Sequence, residues 1–490
     1  MEDRLMVSVS GIRGTIGATL TPRIACDFGC AFGTMLGEKD KSGAMPKGAM
    51  PKSARACLPA EPGHARADLG MAPRMTVVIG RDTRTSGAMI QSAVTAGLLA
   101  TGLDVVDLGV VSTPGVGLMA LKTQAGGAVM ITASHNPPQY NGIKFLQPNG
   151  CCLPAASANK LKEIWQAGRF PLRSSLEVGQ QSRNGTTHGK HVDAVCGICD
   201  TTLISSKRFK VVLDSINGSG CVVTPMLLGR LGCEFAHLNA EPTGLFAHEP
   251  EPIEKNLTGL GQAVLKHHAA VGFAQDPDAD RLVVVDEKGR FIGEEYTLAL
   301  ATAFVLRHRK GKVATNLATS RMIDDIAAAA GVEVVRAATG EANVVEAMFQ
   351  SGAIFGGEGN GGVIEPRVVP VRNSLVGIAY ILQYLAETDK TLSQLVAEIR
   401  PYVLLKTKFP CPDGAAPAVA GKTRAAFAAR SGAKFDDRDG LRIDLPEGWV
   451  SVRASNTEPI MRIMAEASDQ QTAEQLVAQV RKIADEVIQK

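Results

Sequence analysis

Short apolar runs that stop at polar, glycine- or proline-punctuated turns recur along this chain, with stretches of helical spacing between them. Met75-Thr76-Val77-Val78-Ile79 enters Gly80-Arg81-Asp82-Thr83-Arg84-Thr85-Ser86-Gly87, and Val105–Gly109 and Ala128–Ile131 have the same form. Such runs read as buried strands, and Ile24–Leu36, Ile90–Ala100 and Pro114–Lys122 between them as helices. Strand alternating with helix implies parallel strands with crossover helices. The pattern repeats from Phe209 to Asp286 and again from Tyr296 to Phe355, so α/β units of about 100 residues stand in a row. From about Pro401 it changes. Gly440–Leu445, Trp449–Arg453 and Pro459–Glu466 are strands joined by short turns, followed by an amphipathic helix, Thr472–Ile488.

These patterns predict an α/β fold with three similar mixed α/β domains and a smaller C-terminal α+β domain. The expected spans are 1–190, 191–295, 296–400 and 401–490. At 490 residues the chain is too long for one ordinary core. Between Glu38 and Arg74 the periodicity dissolves into Ala, Pro, Gly and Lys, with a tandem echo at Ala44–Gly48 and Ala49–Ser53. That segment, 38–74, has too little to bury and reads as a disordered insertion. A net charge of +3 argues against nucleic-acid and membrane partners. No apolar run approaches membrane-spanning length. The ten cysteines are scattered, as in a cytoplasmic protein with reduced thiols. Cys151-Cys152 and Cys196-Gly197-Ile198-Cys199 lack the second pair that a zinc site needs.

Thr132-Ala133-Ser134-His135-Asn136-Pro137-Pro138 follows one of these strands. The prolines end the strand and leave Ser134 on a loop at its tip, where open α/β sheets keep reactive groups. A serine hydroxyl is a poor nucleophile and needs a base, a metal or a proton carrier; His135 and Lys144 lie within a short loop's reach. Taken alone, the stretch could equally be a capped polar turn. Ser8–Thr15 is a glycine-punctuated loop with Arg13 available to fork an anion, or a plain surface turn. Asp276, Asp278 and Asp280 alternate around the stiff Pro277, a set suited to Mg²⁺, which a phosphate on Ser134 would help to bind. Arg281 and an apolar strand follow them, which excludes a calcium EF-hand. Arg453-Ala454-Ser455-Asn456-Thr457 offers a guanidinium, hydroxyls and an amide to a phosphate, or it caps a turn. Glu358 and Asn360, in a glycine-rich stretch, suit paired sugar hydroxyls.

In this fixed order the four stretches resemble the α-D-phosphohexomutase superfamily, which comprises the phosphoglucomutases, phosphomannomutases and phosphoglucosamine mutases. Thr132–Pro137 matches its phosphoserine loop, Asp276–Arg281 its metal loop, Glu358–Gly361 its sugar loop and Arg453–Thr457 its phosphate loop. The resemblance covers the chain outside 38–74 and implies four domains around a central cleft, the last one mobile. It also implies that Ser134 passes a phosphoryl group to a hexose monophosphate. A hexose 1,6-bisphosphate forms, turns over in the cleft and returns its other phosphate. Mg²⁺ would sit on Ser134, Asp276, Asp278 and Asp280. Lys144 would carry the proton, with Arg13 and His135 close by, and would need a lowered pKa for this. Arg13 and Arg281 would stabilise charge, Glu358 and Asn360 would hold the sugar, and Arg453, Ser455, Asn456 and Thr457 its distal phosphate.

Three departures from the family pattern bear on sugar preference. The sugar loop ends Asn360-Gly361-Gly362 where many members have a histidine, Ala338 stands where many have a lysine, and Asn373 where aspartate is common. The loop resembles archaeal-type mutases assigned to phosphoglucosamine or phosphomannose substrates more than bacterial ones. The expected protein is therefore a Mg²⁺-dependent phosphoglucosamine mutase, with phosphomannomutase or phosphoglucomutase as the alternative. A phosphatase and a non-catalytic sugar-phosphate binder are the competing readings. Its expected partner is a small-molecule sugar phosphate, and its expected state a monomer or homodimer.

Overall fold

The computed structural model describes residues 4–8, 11–41, 74–412, 414–454 and 460–488. They form four sheets. The first holds β1 (Met6–Ser8), β2 (Gly11–Thr15), β3 (Thr76–Arg81), β4 (Asp104–Val110), β5 (Gly127–Ile131), β6 (Tyr140–Leu146) and β7 (Gln181–Arg183), in the order β1-β2-β6-β5-β3-β4-β7. The second holds β8 (Lys210–Asp214), β9 (Glu234–Leu238), β10 (Val271–Gln275) and β11 (Leu282–Asp286), in the order β11-β10-β8-β9. The third holds β12 (Val313–Asn316), β13 (Val334–Ala337), β14 (Phe355–Glu358), β15 (Gly362–Glu365) and β16 (Val369–Arg372), in the order β13-β12-β14-β15-β16. The fourth is antiparallel: β17 (Val403–Pro410), β18 (Lys434–Asp436), β19 (Leu441–Asp444), β20 (Gly448–Ala454) and β21 (Ile460–Ala467), in the order β17-β21-β20-β19-β18.

Strands joined by helices are parallel, as the alternation requires. In the first three units the antiparallel returns were not legible in it: β6 returns against β5, β11 against β10 and β15 against β14, as β21 does against β20 in the fourth. Every candidate loop therefore lies between two strands that are hydrogen-bonded neighbours. Gly11–Thr15, expected as a loop, is β2; it pairs with β6 and brings Arg13 opposite Gly142. Gly142 is required there, because a Cβ would lie 2.5 Å from Ile12 O and 2.7 Å from Thr132 O.

The first helix runs from Pro22 to Lys41, beyond the apolar spacing that ends at Leu36. Glu38 pairs with Lys160, and Arg74 donates to the carbonyls of Val178 and Leu176. Both ends of the 38–74 stretch thus belong to the first unit, while 42–73 lie outside the described residues. The second and third units share one apolar core, from Leu118 and Val211 to Phe355 and Tyr380. Its centre is helix Ser374–Thr388, buried on nearly every face. The fourth unit has its own core around Phe409, Val450 and Leu476. Polar groups join it to the third: Arg321 donates to the carbonyls of Leu445 and Gly448, and Arg442 to that of Leu317. No described helix is long and apolar enough to cross a membrane.

Candidate active site

Ser134 is buried at the tip of the β5–β6 connection with a left-handed backbone, φ +49°. Such a conformation in a residue with a Cβ persists only where its surroundings hold it. Here Thr132 Oγ1 accepts from Ser134 N at 2.8 Å, and Arg84, itself buried, clamps the loop from below. Arg84 donates to the carbonyls of Ser134 and Asn136 at 2.6 Å and of Pro137 and Tyr140 at 2.9 Å. Its charge is balanced by Asp82, which also accepts from Thr132 Oγ1 at 2.6 Å. Arg84 and Asp82 were visible in the sequence as part of the Gly80–Gly87 turn, but nothing there indicated that they support the Ser134 loop.

The Ser134 hydroxyl donates to Asp276 Oδ2 at 2.8 Å, and its Oγ lies 3.3 Å from His135 Nδ1. Asp276, Asp278 and Asp280 are fully buried, with one oxygen from each within 4.8 Å of the others. They are the one group of His, Cys, Asp or Glu among the described residues that could hold a metal ion. Outer contacts occupy the remaining oxygens. Asp276 Oδ1 accepts from the backbone N–H groups of Asp280 and Arg281 at 3.1 Å. Asp278 Oδ2 accepts from Thr113 Oγ1 at 2.6 Å and Lys144 Nζ at 2.7 Å, and Asp280 Oδ2 from Arg372 Nη2 at 2.6 Å. Asp278 Oδ1 and Asp280 Oδ1 are buried and accept no hydrogen bond. Buried oxygens are rarely left without a partner. Two such oxygens beside Asp276 Oδ2 fit a hard, oxygen-liking divalent cation. Burial, with Asp278 and Asp280 nearby, pushes the Asp276 carboxyl well above the usual carboxylate range, and an added cation would relieve that strain.

Lys144, expected within reach of the loop, would need a lowered pKa to carry the proton; the shift found here runs the other way. It lies on β6, and although burial pulls its pKa down, Asp278 and Asp280 hold it as an ammonium, above the usual lysine value. His135 behaves in the opposite way: Arg281, burial and Arg13 push its pKa well below the ordinary imidazole value. It is neutral at pH 7. Arg13 donates to Asn136 Oδ1 at 3.0 Å; burial and the facing Arg281 lower its pKa. Arg281 Nε is buried without a hydrogen-bond partner, 3.9 Å from Asp280 Oδ1. Two guanidiniums crowded over a serine make a slot for an anion.

The sugar-loop residues join this cluster through Arg372, which the sequence reading passed over. Its Nη1 donates to Glu358 Oε2 at 2.8 Å, and its Nε lies 2.9 Å from Glu341 Oε2. Glu358 Oε1 also accepts from Asn316 Nδ2 at 2.8 Å and Gly340 N at 3.1 Å, so most of its acceptor sites are engaged by the protein. Asn360 Oδ1, by contrast, is buried and accepts nothing among the described residues. Leu282 N donates to Gly361 O at 2.9 Å, lacing the sugar loop to the end of the metal loop. Farther off, Arg453 Nη1 donates to Asp439 Oδ2 at 2.9 Å, beside a cavity of about 90 Å³ that Thr339, Arg442 and Arg462 also line. Ser455, Asn456 and Thr457 lie outside the described residues. Cys152 Sγ lies 3.7 Å from Glu341 Oε1. Cys196 and Cys199 are free thiols.

Fold and site define a four-domain α/β protein whose loops converge on one buried serine and three aspartates. Its domains match those of the phosphoglucomutase/phosphomannomutase family: domain I over residues 63–171, domain II over 189–289, domain III over 293–402 and the C-terminal domain over 407–483. A phosphoglucomutase/phosphomannomutase of Thermococcus kodakarensis is 37% identical, with 98% of each chain covered. A probable phosphoglucosamine mutase of Methanopyrus kandleri is 36% identical over the same share of each. The crystal structure of a family protein from Burkholderia thailandensis superposes with a TM-score of 0.80 at 26% identity, again covering 98% of both chains. The chain belongs to the phosphoglucomutase/phosphomannomutase family of phosphohexomutases.

Proposed function

We propose that this chain interconverts hexose 6-phosphates and hexose 1-phosphates through a phosphoserine at position 134, with glucosamine phosphates as its preferred substrates. The observation that carries the reading is the Ser134 hydroxyl 2.8 Å from Asp276 Oδ2, beside the unpartnered oxygens of Asp278 and Asp280. Asp276, Asp278, Asp280 and an oxygen of phosphorylated Ser134 would hold Mg²⁺, which when bound offsets phosphoryl charge.

The transfer breaks the phosphorus–oxygen bond at Ser134 and forms one to the free sugar hydroxyl. The hydroxyl proton passes through the neutral His135 ring, 3.3 Å from Ser134 Oγ, and ends on the serine. Lys144 keeps its proton and contributes charge together with Arg13 and Arg281. The resulting hexose 1,6-bisphosphate reorients and gives its other phosphate back to Ser134, with the same bisphosphate serving as activator. Asn360 takes a sugar hydroxyl on its free Oδ1, beside a Glu358 that Arg372 holds in place. Arg453, with Ser455, Asn456 and Thr457, takes the distal phosphate, displacing Asp439 from the guanidinium.

The archaeal-type sugar loop and the name of the Methanopyrus relative support glucosamine phosphates. The name of the Thermococcus relative favours glucose and mannose phosphates as a second reading. Turnover on glucosamine, mannose and glucose 6-phosphates, measured side by side with Mg²⁺ and a bisphosphate activator, decides between them. Free phosphate in place of isomerised sugar would mean a phosphatase. Binding without turnover in the primed protein would mean a sugar-phosphate binder. We place the protein in the cytoplasm, where its thiols stay reduced, as a monomer or homodimer acting on small sugar phosphates alone.

A further inference from the structure

Groups from three parts of the chain meet at His191, on helix Thr187–Cys196, and the histidine is buried there. That helix packs against helices Thr113–Lys122, Gly220–Arg230 and Ser374–Thr388. His191 Nδ1 lies 3.4 Å from Ser112 Oγ, and Nε2 lies 2.9 Å from Asn373 Nδ2 and 3.2 Å from Asn373 Oδ1. Ser112 and Asn373 are each the N-cap of a helix. Ser112 Oγ accepts from Gly115 N, and Asn373 Oδ1 from Leu375 N. An amide oxygen has two lone pairs, so Asn373 Oδ1 can serve Leu375 N–H and still face the ring, and either neutral tautomer of His191 joins Ser112 to Asn373.

Next to each cap stands a group that grips the metal loop. Thr113 donates to Asp278 twice, from its backbone N to the carbonyl at 3.0 Å and from Oγ1 to Oδ2 at 2.6 Å. Arg372 donates to Asp280 Oδ2 at 2.6 Å, and Ser374 Oγ to Ala279 O at 2.7 Å. Ala279 sits between those aspartates with φ +53°, a strained conformation that needs support from both sides.

We propose that His191 is a positioning residue for the metal loop, joining the two helix N-termini that hold Asp278, Ala279 and Asp280 in their cation-facing arrangement. The proposal rests on reading the three aspartates as a cation site. His191 touches none of them; it acts through Ser112 and Asn373. Burial holds the ring pKa down at about 4, which keeps one acceptor and one donor on it. The amide at 373 presents both a donor and an acceptor to the neutral ring at 191.

The test is Mn²⁺ binding to the full chain, followed by the electron paramagnetic resonance of the free ion. Partners that orient metal ligands are worth about 10- to 100-fold in affinity, so His191→Ala should weaken Mn²⁺ binding about tenfold or more. His191→Gln, whose amide can still hydrogen-bond Asn373, should stay within about threefold, and kcat should fall in His191→Ala while KM for the sugar phosphate holds. Wild-type affinity in a folded His191→Ala protein would overturn the proposal. No Mn²⁺ binding by the wild type would remove the cation site itself, and the proposal with it. Should His191→Ala not fold, ¹⁵N spectra of histidine-labelled wild type decide, with His191→Gln assigning the signal. A neutral ring held in one tautomer at neutral pH is expected; a ring exchanging freely between tautomers, or an imidazolium, would overturn the proposal.

Discussion

Arg372 donates to Asp280 Oδ2 at 2.6 Å, and through that bond a residue of the third sheet fixes a carboxylate at the end of a strand of the second. The same guanidinium meets Glu358 and Glu341, so one buried cation serves three carboxylates. Its stem passes over Gly362, where a Cβ would lie 2.2 Å from Arg372 Cδ. A histidine at 362 would not fit beside Arg372 in this position. Glycine there is the steric counterpart of that contact.

Arg372→Lys should therefore be severe. A single ammonium cannot present the planar fork that reaches three carboxylates, and removing one partner of a buried ion pair costs about 3–5 kcal/mol. Urea unfolding of the variant, compared with the wild type, reads this directly. A loss under about 1 kcal/mol would show that the carboxylates find other partners.

Asp276→Asn should separate metal binding from folding. The amide keeps an acceptor for the N–H groups of Asp280 and Arg281 and removes one of three buried like charges. The metal-free variant should be as stable as the wild type or more so. Mg²⁺ at 100 times its dissociation constant should stabilise the wild type by about 2.7 kcal/mol, an effect that EDTA reverses and Asp276→Asn lacks. Thermal unfolding with and without Mg²⁺ gives all of these comparisons.

Ser134→Ala removes the group that would carry the phosphoryl and a single hydrogen bond to Asp276. Mutase turnover should fall at least about 10³-fold, since removing a covalent-catalysis nucleophile leaves only binding and positioning. The melting temperature should move little. Labelling with a ³²P bisphosphate should mark the wild type and not the variant; equal labelling would move the phosphorylation site elsewhere.

Acid should destabilise the fold through His191. Its pKa is lowered from 6.5 to about 4 by burial. Between those values the unfolded chain binds a proton that the folded chain does not. Stability is thus lost as pH falls from 6.5 towards 4, by roughly 3 kcal/mol in total. His191→Gln should lack this part of the slope in urea unfolding measured from pH 7 to pH 4. Parallel slopes in the two proteins would mean that the ring is protonated in the folded state.

The order of chemistry along the chain was legible because each loop carries its own punctuation. Pro137 and Pro138 mark the loop after β5, which closes at Ile131, Pro277 stiffens the aspartate turn, and Gly361 with φ +85° turns the sugar loop. The returning strands were harder to see. Arg13 read as a loop residue, and no strand was read at Lys144; Gly11–Thr15 and Tyr140–Leu146 are strands because β5, β6 and β2 pair. Helix Ser374–Thr388 was passed over because it is apolar nearly all round, which leaves no amphipathic face to detect.

By itself the sequence determined the succession of α/β units, the serine at a strand tip and the three alternating aspartates, since these follow from local spacing and backbone stereochemistry. Only the tertiary structure decided the charge states and partners. Lys144 stays protonated because Asp278 and Asp280 flank it, His135 is neutral because Arg281 and Arg13 face it, and Arg84 and Arg372 hold loops far from them in the chain. Electrostatic energy depends on distance and burial between residues far apart in the chain, and neither quantity is written in local order.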